Sequence, residues 1–537
     1  MATTTTHDQT AVTYRRAAIS AATQQRFWFL AIALLIVSEA IRPMTADSDF
    51  YAHAAVGRWI VEHHAIPQST LFLWSAHESW IAHSWLAETA IFGIARVGDS
   101  AGISIALVLE AIILIAVFAI PFFARRQTGS KLLLVVAATG LCVFAGSSRF
   151  QVRPELFSDL ALVVLVKALI RLRRDISALE NAQFLQRRLL PIIALFALWA
   201  NLHGGVIWGL GLLVLQFAGE TLQTPQSADV KRWAQLAVAA WIGTIFTPFG
   251  IRYYGIFFPA NPAVFASIEE WTPALQYPFM SIPALAAAAV VTLLAISAWL
   301  RNPERRWAHA LWLVLGVFAV LLARRNILVA SIISLIVFLE YVESIDSQPE
   351  MLPADAEWDP ADTTRVRTAR LVTLAAAGTV AALLAYGVVR SPLAAYAAAS
   401  QSARPDAVPA GQVDFLKSRR ITGRIFNDYN NASYLEWKLA DRNTFFIDGL
   451  NAYPDAILAA SQTVFAGSDE GLAYLDRNGV NCVVGRRRDP RFERRYPPLY
   501  HTLTHDPRWA LVYAGADGPI WVRRIPQYES LWKKALR

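Results

Sequence analysis

The sequence predicts an all-α polytopic membrane bundle of about 11 spans, followed by a C-terminal soluble α/β domain. Three observations carry this expectation. Hydrophobic residues fill 55% of 537 positions and the mean hydropathy is +0.37, too apolar for a soluble globular chain. Apolar windows of about 20 residues, the length that crosses a bilayer, recur along the first two thirds of the chain. Beyond Arg390 hydropathy drops, and short β-type runs bounded by Gly, Asn or Asp appear: GRIFND, TFFID, NCVVGR, WALVYA and PIWVRR.

The spans begin near Phe27, Ile103, Leu132, Leu156, Leu189, Val206, Trp233, Ile282, Trp307, Ile327 and Leu371. Basic residues then orient them. Arg15, Arg16 and Arg26, then Arg125, Arg126 and Lys131, then Arg171 to Arg188, Lys231 and Arg232, Arg301 to Arg306 and Arg365 to Arg370 occupy every second loop. A cytoplasmic N-terminus and an external C-terminus satisfy them all, since Lys and Arg stay inside. The chain therefore divides into a disordered cytoplasmic N-terminus (1–26), a membrane domain (27–389) with a large first external loop (44–100), and an external α/β domain (390–537). The acidic, Pro-rich stretch 346–370 is a cytoplasmic linker. The apolar helix pattern Ser84 to Val97 fits this parity only as a helix lying in or on the outer leaflet. The expected location is the inner (plasma) membrane.

The formal charge of +8 is accounted for by these topology-setting loops, so no nucleic-acid partner is expected. The 18 tryptophans suit interfacial belts. Two cysteines, Cys142 in an apolar window and Cys482 in the tail, form neither a metal-type cluster nor a plausible disulfide.

Under this topology the polar clusters share one side. The first external loop carries Asp47, Asp49 and His53, then His83 and Glu88. The following external turns carry Arg149, Arg153, Glu155 and Asp159; Asn201 and His203; Glu269, Glu270 and Trp271; and Arg324, Arg325 and Asn326. External arginines beside spans run against the inside bias, and a costly guanidinium there pairs with a carboxylate or grips phosphate. A carboxylate in an apolar loop is a candidate base. Arginines for a lipid phosphate and a carboxylate for proton removal are what transfer from a polyprenyl-phosphate donor needs.

Blander roles stand beside each. Asp47 or Asp49 is suited to capping the helix that starts near Phe50. His53, four residues on, shares a helical face with Asp49, as a catalytic pair, a metal pair or a local salt bridge. His83 and Glu88, five apart, share a face poorly and read as support. Glu155 and Asp159 share a face, with Asp159 suited to orienting an arginine. His203-Gly204-Gly205 also reads as a tight turn, and Arg324 and Arg325 also read as snorkelling to headgroups.

The first-loop segments DSDFYAHAAVGRWI, IPQSTLF and WIAHSWLAE resemble the corresponding region of bacterial multi-span glycosyltransferases of the GT-C superfamily. They are nearest the protein-mannosyltransferase and lipid A aminoarabinose-transferase type. RFQVRPELF, WANLHGG, TPFG, IEEW, ARRN, FNDYNNASYLEWKL and FFIDGLNAY extend the resemblance over residues 27–490. It implies a GT-C-like bundle with catalysis on the external (periplasmic) face, a lipid-linked sugar donor, and a glycan, lipid or protein acceptor. It implies that Asp49, with Asp47, forms the acidic site of the first loop, with His53 beside it. It also raises a divalent metal (Mg or Mn) held by Asp49 and Glu155, although RPELFSD lacks the second acidic motif of better-known members. On this reading Arg149, Arg153, Arg324 and Arg325 bind the donor phosphate, and His83, Glu88, Glu155, Asn201, His203 and Glu270 support. The expected reaction is inverting sugar transfer. A transporter or flippase of lipid-linked or anionic substrates is the alternative, and an assembly scaffold a third.

Overall fold

Helices dominate because the apolar windows can satisfy their backbone groups only internally once out of water. The computed structural model describes residues 20–40, 49–258, 261–276, 278–345, parts of 371–385, 408–486 and 496–535. The N-terminal segment 1–19, Asp47 and the linker 346–370 lie outside the described residues.

The first apolar window forms α1 (Ala21–Ala40). Two helices of the first loop follow, α2 (Asp49–His63) and α3 (Trp85–Ala95). The bundle continues with α4 (Asp99–Phe122), α5 (Gly129–Gly146), α6 (Glu155–Asp175), α7 (Leu190–Leu202) and α8 (Val206–Gln223). It closes with α9 (Ala228–Ile245), α10 (Pro278–Arg301), α11 (Trp307–Leu322) and α12 (Ile327–Tyr341). Outward faces of these helices stay apolar, with Leu34 71%, Leu293 64% and Phe318 56% exposed, as lipid-facing surfaces are. The interior is a continuous cluster that includes Phe118, Phe196, Trp199, Trp312 and Phe338.

The span count of about 11 is not reproduced by length and composition. Among the described residues five helices are long and apolar enough to cross a bilayer, six if α9 and the 99° bent turn Gly250–Phe257 count as one. The reasons are local. Four charges from Lys167 to Arg174 lower the hydropathy of α6, while α7, α11 and α12 have only 13, 16 and 15 residues. The 11 residues of α3 rise about 16 Å, well short of the hydrocarbon core.

The tail folds around a five-stranded sheet of order β2-β1-β3-β5-β4. Its strands are β1 (Gly423–Asn427), β2 (Asn443–Phe445), β3 (Cys482–Val484), β4 (Trp509–Gly515) and β5 (Gly518–Arg523). β1 runs parallel to β2 and β3, and β5 is antiparallel to β3 and β4. Helices α13 (Ala410–Ser418), α14 (Tyr429–Leu439), α15 (Asp455–Phe465), α16 (Asp469–Arg477) and α17 (Pro498–His505) cover it.

The sequence reading did not anticipate that the first loop and the tail share one core. Phe50, Tyr51, Ile60 and Phe72 of the loop pack in one cluster with Leu435, Phe445 and Ile520 of the tail. Leu73 forms a single parallel bridge with Phe445 at the β2 edge, which covers part of a surface that would otherwise be free to pair. Arg58 donates to the carbonyls of Trp437 (2.8 Å) and Glu436 (3.3 Å) and lies over the Trp437 ring. A second contact comes from the loop before α10, where Asn261 donates to the carbonyls of Asn451 and Tyr453, each at 2.8 Å.

Two predictions follow from this packing. A Cβ at Gly57 would run into the Glu88 carbonyl, so α2 and α3 touch only because that position is bare. Gly57→Val should cost about 1–3 kcal/mol through overpacking, read as a lower thermal midpoint in detergent, and an unchanged midpoint refutes the close contact. At the interface of α2 with the tail, Glu436 is fully buried and neither carboxylate oxygen has a hydrogen-bond partner. Burial, with Asp448 and Asp49 nearby, pushes its carboxyl well above the ordinary range, and burial raises Asp448 to about 7. The folded state thus holds protons that the unfolded chain releases above about pH 4, and stability should fall as pH rises from there. Glu436→Gln should leave the midpoint near wild type at pH 5 and raise it at pH 8; equal shifts at both would contradict a buried neutral acid.

Candidate functional site

The helix ends nearest the tail collect the charges. Arg149 follows the end of α5, Glu155 opens α6, Glu270 sits in the short turn Glu269–Trp271, and Arg325 lies between α11 and α12. Asp49 is the first residue of α2, where the helix dipole favours a carboxylate. These positions converge because each lies where an apolar helix ends, and only there is a charge near water.

The result is a linked network. Arg149 donates through Nε to Glu155 Oε1 at 3.0 Å and also pairs with Glu270. Arg325 donates to Glu155 Oε2 at 2.7 Å and to Glu270 Oε1 at 3.1 Å, and its guanidinium stacks 4.4 Å from the Trp271 ring centre. Arg153 reaches Asp49 at 3.1 Å and Glu270 at 3.5 Å. Burial alone would raise the Glu270 carboxyl, yet Arg325, Arg149 and Arg153 outweigh it and hold the group below its usual range. Three cations thus face three carboxylates, Asp49 being the most accessible with a side chain 30% exposed.

The remaining predicted residues flank this network. His53 pairs through Nδ1 with Glu88 at 3.1 Å, rather than with Asp49, its neighbour on the helix face. Glu88 thus supports His53, not His83. The His83 and His203 rings lie 6.3 Å apart. Trp199 donates to Ser158, which sits 2.8 Å from His203 Nδ1, and the Gly205 N–H donates to the same nitrogen. That nitrogen is therefore an acceptor, which leaves the proton on Nε2. Asn201 accepts from Trp85 at 2.7 Å and ties α3 to α7. Arg324 is paired with Glu269 at 2.9 Å. Asp47 lies outside the described residues.

The arginines read from sequence as phosphate ligands are thus already carboxylate-bound, so an arriving phosphate must compete for or share their donors. The suggested metal pair fits poorly for the same reason. Glu155 uses one oxygen on Arg149 and the other on Arg325, and Asp49 is held by Arg153, so a divalent ion there would sit against three guanidinium groups. Among the described residues no group of three or more His, Cys, Asp or Glu is placed to hold a metal.

The tail supplies residues that sequence reasoning missed. The turn at Gly449 lies directly beside Asp49: a Cβ there would be 3.8 Å from Asp49 Oδ1. Asp448 and the helix bearing Tyr429 and Glu436 stand close enough for the Asp49 charge to act on Tyr429 and Glu436. The signal was present in FNDYNNASYLEWKL and FFIDGLNAY, whose acids and asparagines are dense for a structural tail, but nothing local says that they meet residue 49.

No protein-family model and no curated protein matches the sequence. Among solved structures the fold is similar to that of the arabinofuranosyltransferase AftD from Mycobacteria, with a TM-score of 0.52 and 14% sequence identity. The likeness covers 94% of this chain and 42% of that one, so this chain spans less than half the length of the protein it resembles. What the likeness shows is a shared fold.

Proposed function

We propose that the protein is a membrane glycosyltransferase of the GT-C type that moves a sugar from a polyprenyl-phosphate donor to an acceptor at the external face, with inversion. One observation carries the reading most: Asp49 sits at the start of a helix, partly open to solvent, directly against guanidinium groups whose donors a leaving phosphate would share with their carboxylates. The whole-chain likeness to an arabinofuranosyltransferase fold supports the same class.

In this mechanism Asp49 takes the proton of an acceptor hydroxyl as its oxygen bonds to the anomeric carbon. The bond from that carbon to the phosphate oxygen breaks, and its electron pair leaves with polyprenyl phosphate. Arg153 and Arg325 neutralise the charge that develops on the leaving oxygen, where preorganised donors act most strongly. A single displacement at one carbon inverts its configuration. Arg153, 3.1 Å from Asp49, orients its carboxylate before reaction. The charged groups of this network lie at helix ends rather than at mid-depth, as suits a site that opens to water.

Asp49→Asn keeps the shape and removes the base. In proteoliposomes supplied with a panel of polyprenyl-phosphate sugars, transfer should fall about 100-fold or more while folding is retained; wild-type-like transfer refutes the assignment. Arg325→Met should destabilise the protein by about 2–3 kcal/mol by leaving Glu155 under-paired. Adding Glu155→Gln should recover about 1 kcal/mol or more of that loss, yet transfer should stay low in both variants. Strictly additive midpoints would show that the pair is not coupled, and restored transfer would show that Arg325 serves structure alone.

A further inference from the structure

At the far end of α2 from Asp49 lies a cavity of about 800 Å³, lined by residues of α2, the loop at Leu71 and Phe72, and the tail. Five cations surround it: Arg58, Lys417, Arg420, Lys438 and Arg442. Two acids, Glu62 and Asp441, oppose them, and Asp441 is already bound to Arg442 at 3.1 Å. Lys417 and Arg420 have no acidic partner among the described residues. Arg420 is also held at φ 52°, a left-handed conformation uncommon for a side-chain-bearing residue.

The cavity also presents a flat surface. The Trp59 and His63 rings stack with centroids 4.4 Å apart and planes within 12°, and Trp59 lines the space. Arg58 is fixed from behind by two carbonyls, and Lys438 lies over the Trp437 ring, so two of the cations are pre-positioned. An amphipathic ring beside fixed cations suits a ligand with both a ring face and negative charge. None of the lining residues comes from a bundle helix, so the cavity does not open onto the apolar outer surface where a lipid headgroup would arrive.

We propose that this groove binds an anionic saccharide, a sugar chain that carries carboxylate or phosphate groups. Its role as the acceptor chain rests on the transferase reading above; the binding itself does not. Asp49 and Trp59 are separated by ten residues of one helix, about 15 Å, so the groove and the candidate base lie at opposite ends of α2.

Binding of a short oligogalacturonate to the full-length protein in detergent tests this, with its methyl ester as the neutral counterpart and phosphatidylglycerol vesicles as the lipid arm. The acid form should bind, and the ester about tenfold or more weaker. Lys417→Glu with Arg420→Glu, both exposed and remote from the core, should weaken binding of the acid by about tenfold or more with an unchanged thermal midpoint. Trp59→Ala should weaken both saccharide forms. No binding of the acid, equal binding of acid and ester, insensitivity to the charge reversal, or a preference for the lipid vesicles would each overturn the proposal. Because the measurement is of binding, loss of sugar transfer in the Asp49→Asn protein leaves it unaffected.

Discussion

Charge neutrality at the mouth of an apolar bundle is the constraint on which the remaining geometry depends. Arg149, Arg153 and Arg325 cannot stand alone where helices pack, since an unpaired guanidinium there costs several kcal/mol. Each is matched by Glu155, Glu270 or Asp49, and the matching draws together five separate chain segments. The end of α5, the start of α6, the 269–271 turn and the α11–α12 connection are positioned by it, as is the start of α2. A network of this kind also limits disorder at the site: moving one member strands at least one other.

The second organising element is the shared core of the first loop and the tail. Neither is an ordinary connection or an independent appendage. α2 presents Asp49 to the bundle at one end and Trp59 to the tail at the other, so one rigid rod relates the candidate chemistry to the candidate binding groove. The Gly449 turn lies beside Asp49, and Ser433 leaves no room there for a side chain.

Much of this was legible in the residues, and the gaps have physical causes. Hydropathy located the helices because burial in lipid imposes length and apolarity on each one separately. It could not count crossings, since α7 and α12 are shorter than an isolated span and pack within the bundle. The one-sidedness of Arg149, Glu155, Glu270 and Arg325 was visible from loop parity, but the pairing of Arg325 was not, because its partners, 55 and 170 positions away, leave no local spacing signal. His53 illustrates the same limit: the i to i+4 rule pointed to Asp49, and a residue 35 positions on took the bond. Asp448 and Gly449 were invisible for an extreme form of this reason.

The site is closed by the two extremes of the chain: α2 emerges early in synthesis, and the 448–451 turn almost 400 residues later. Contacts of such sequence separation form last, since the loop they close must first be made and threaded. During most of its biogenesis the chain therefore carries Asp49 on a helix whose apolar side has no cover. The candidate site is complete only once the segment that carries the 448–451 turn has been made. A chain that stops short in translation is left with an exposed hydrophobic flank beside an unroofed carboxylate.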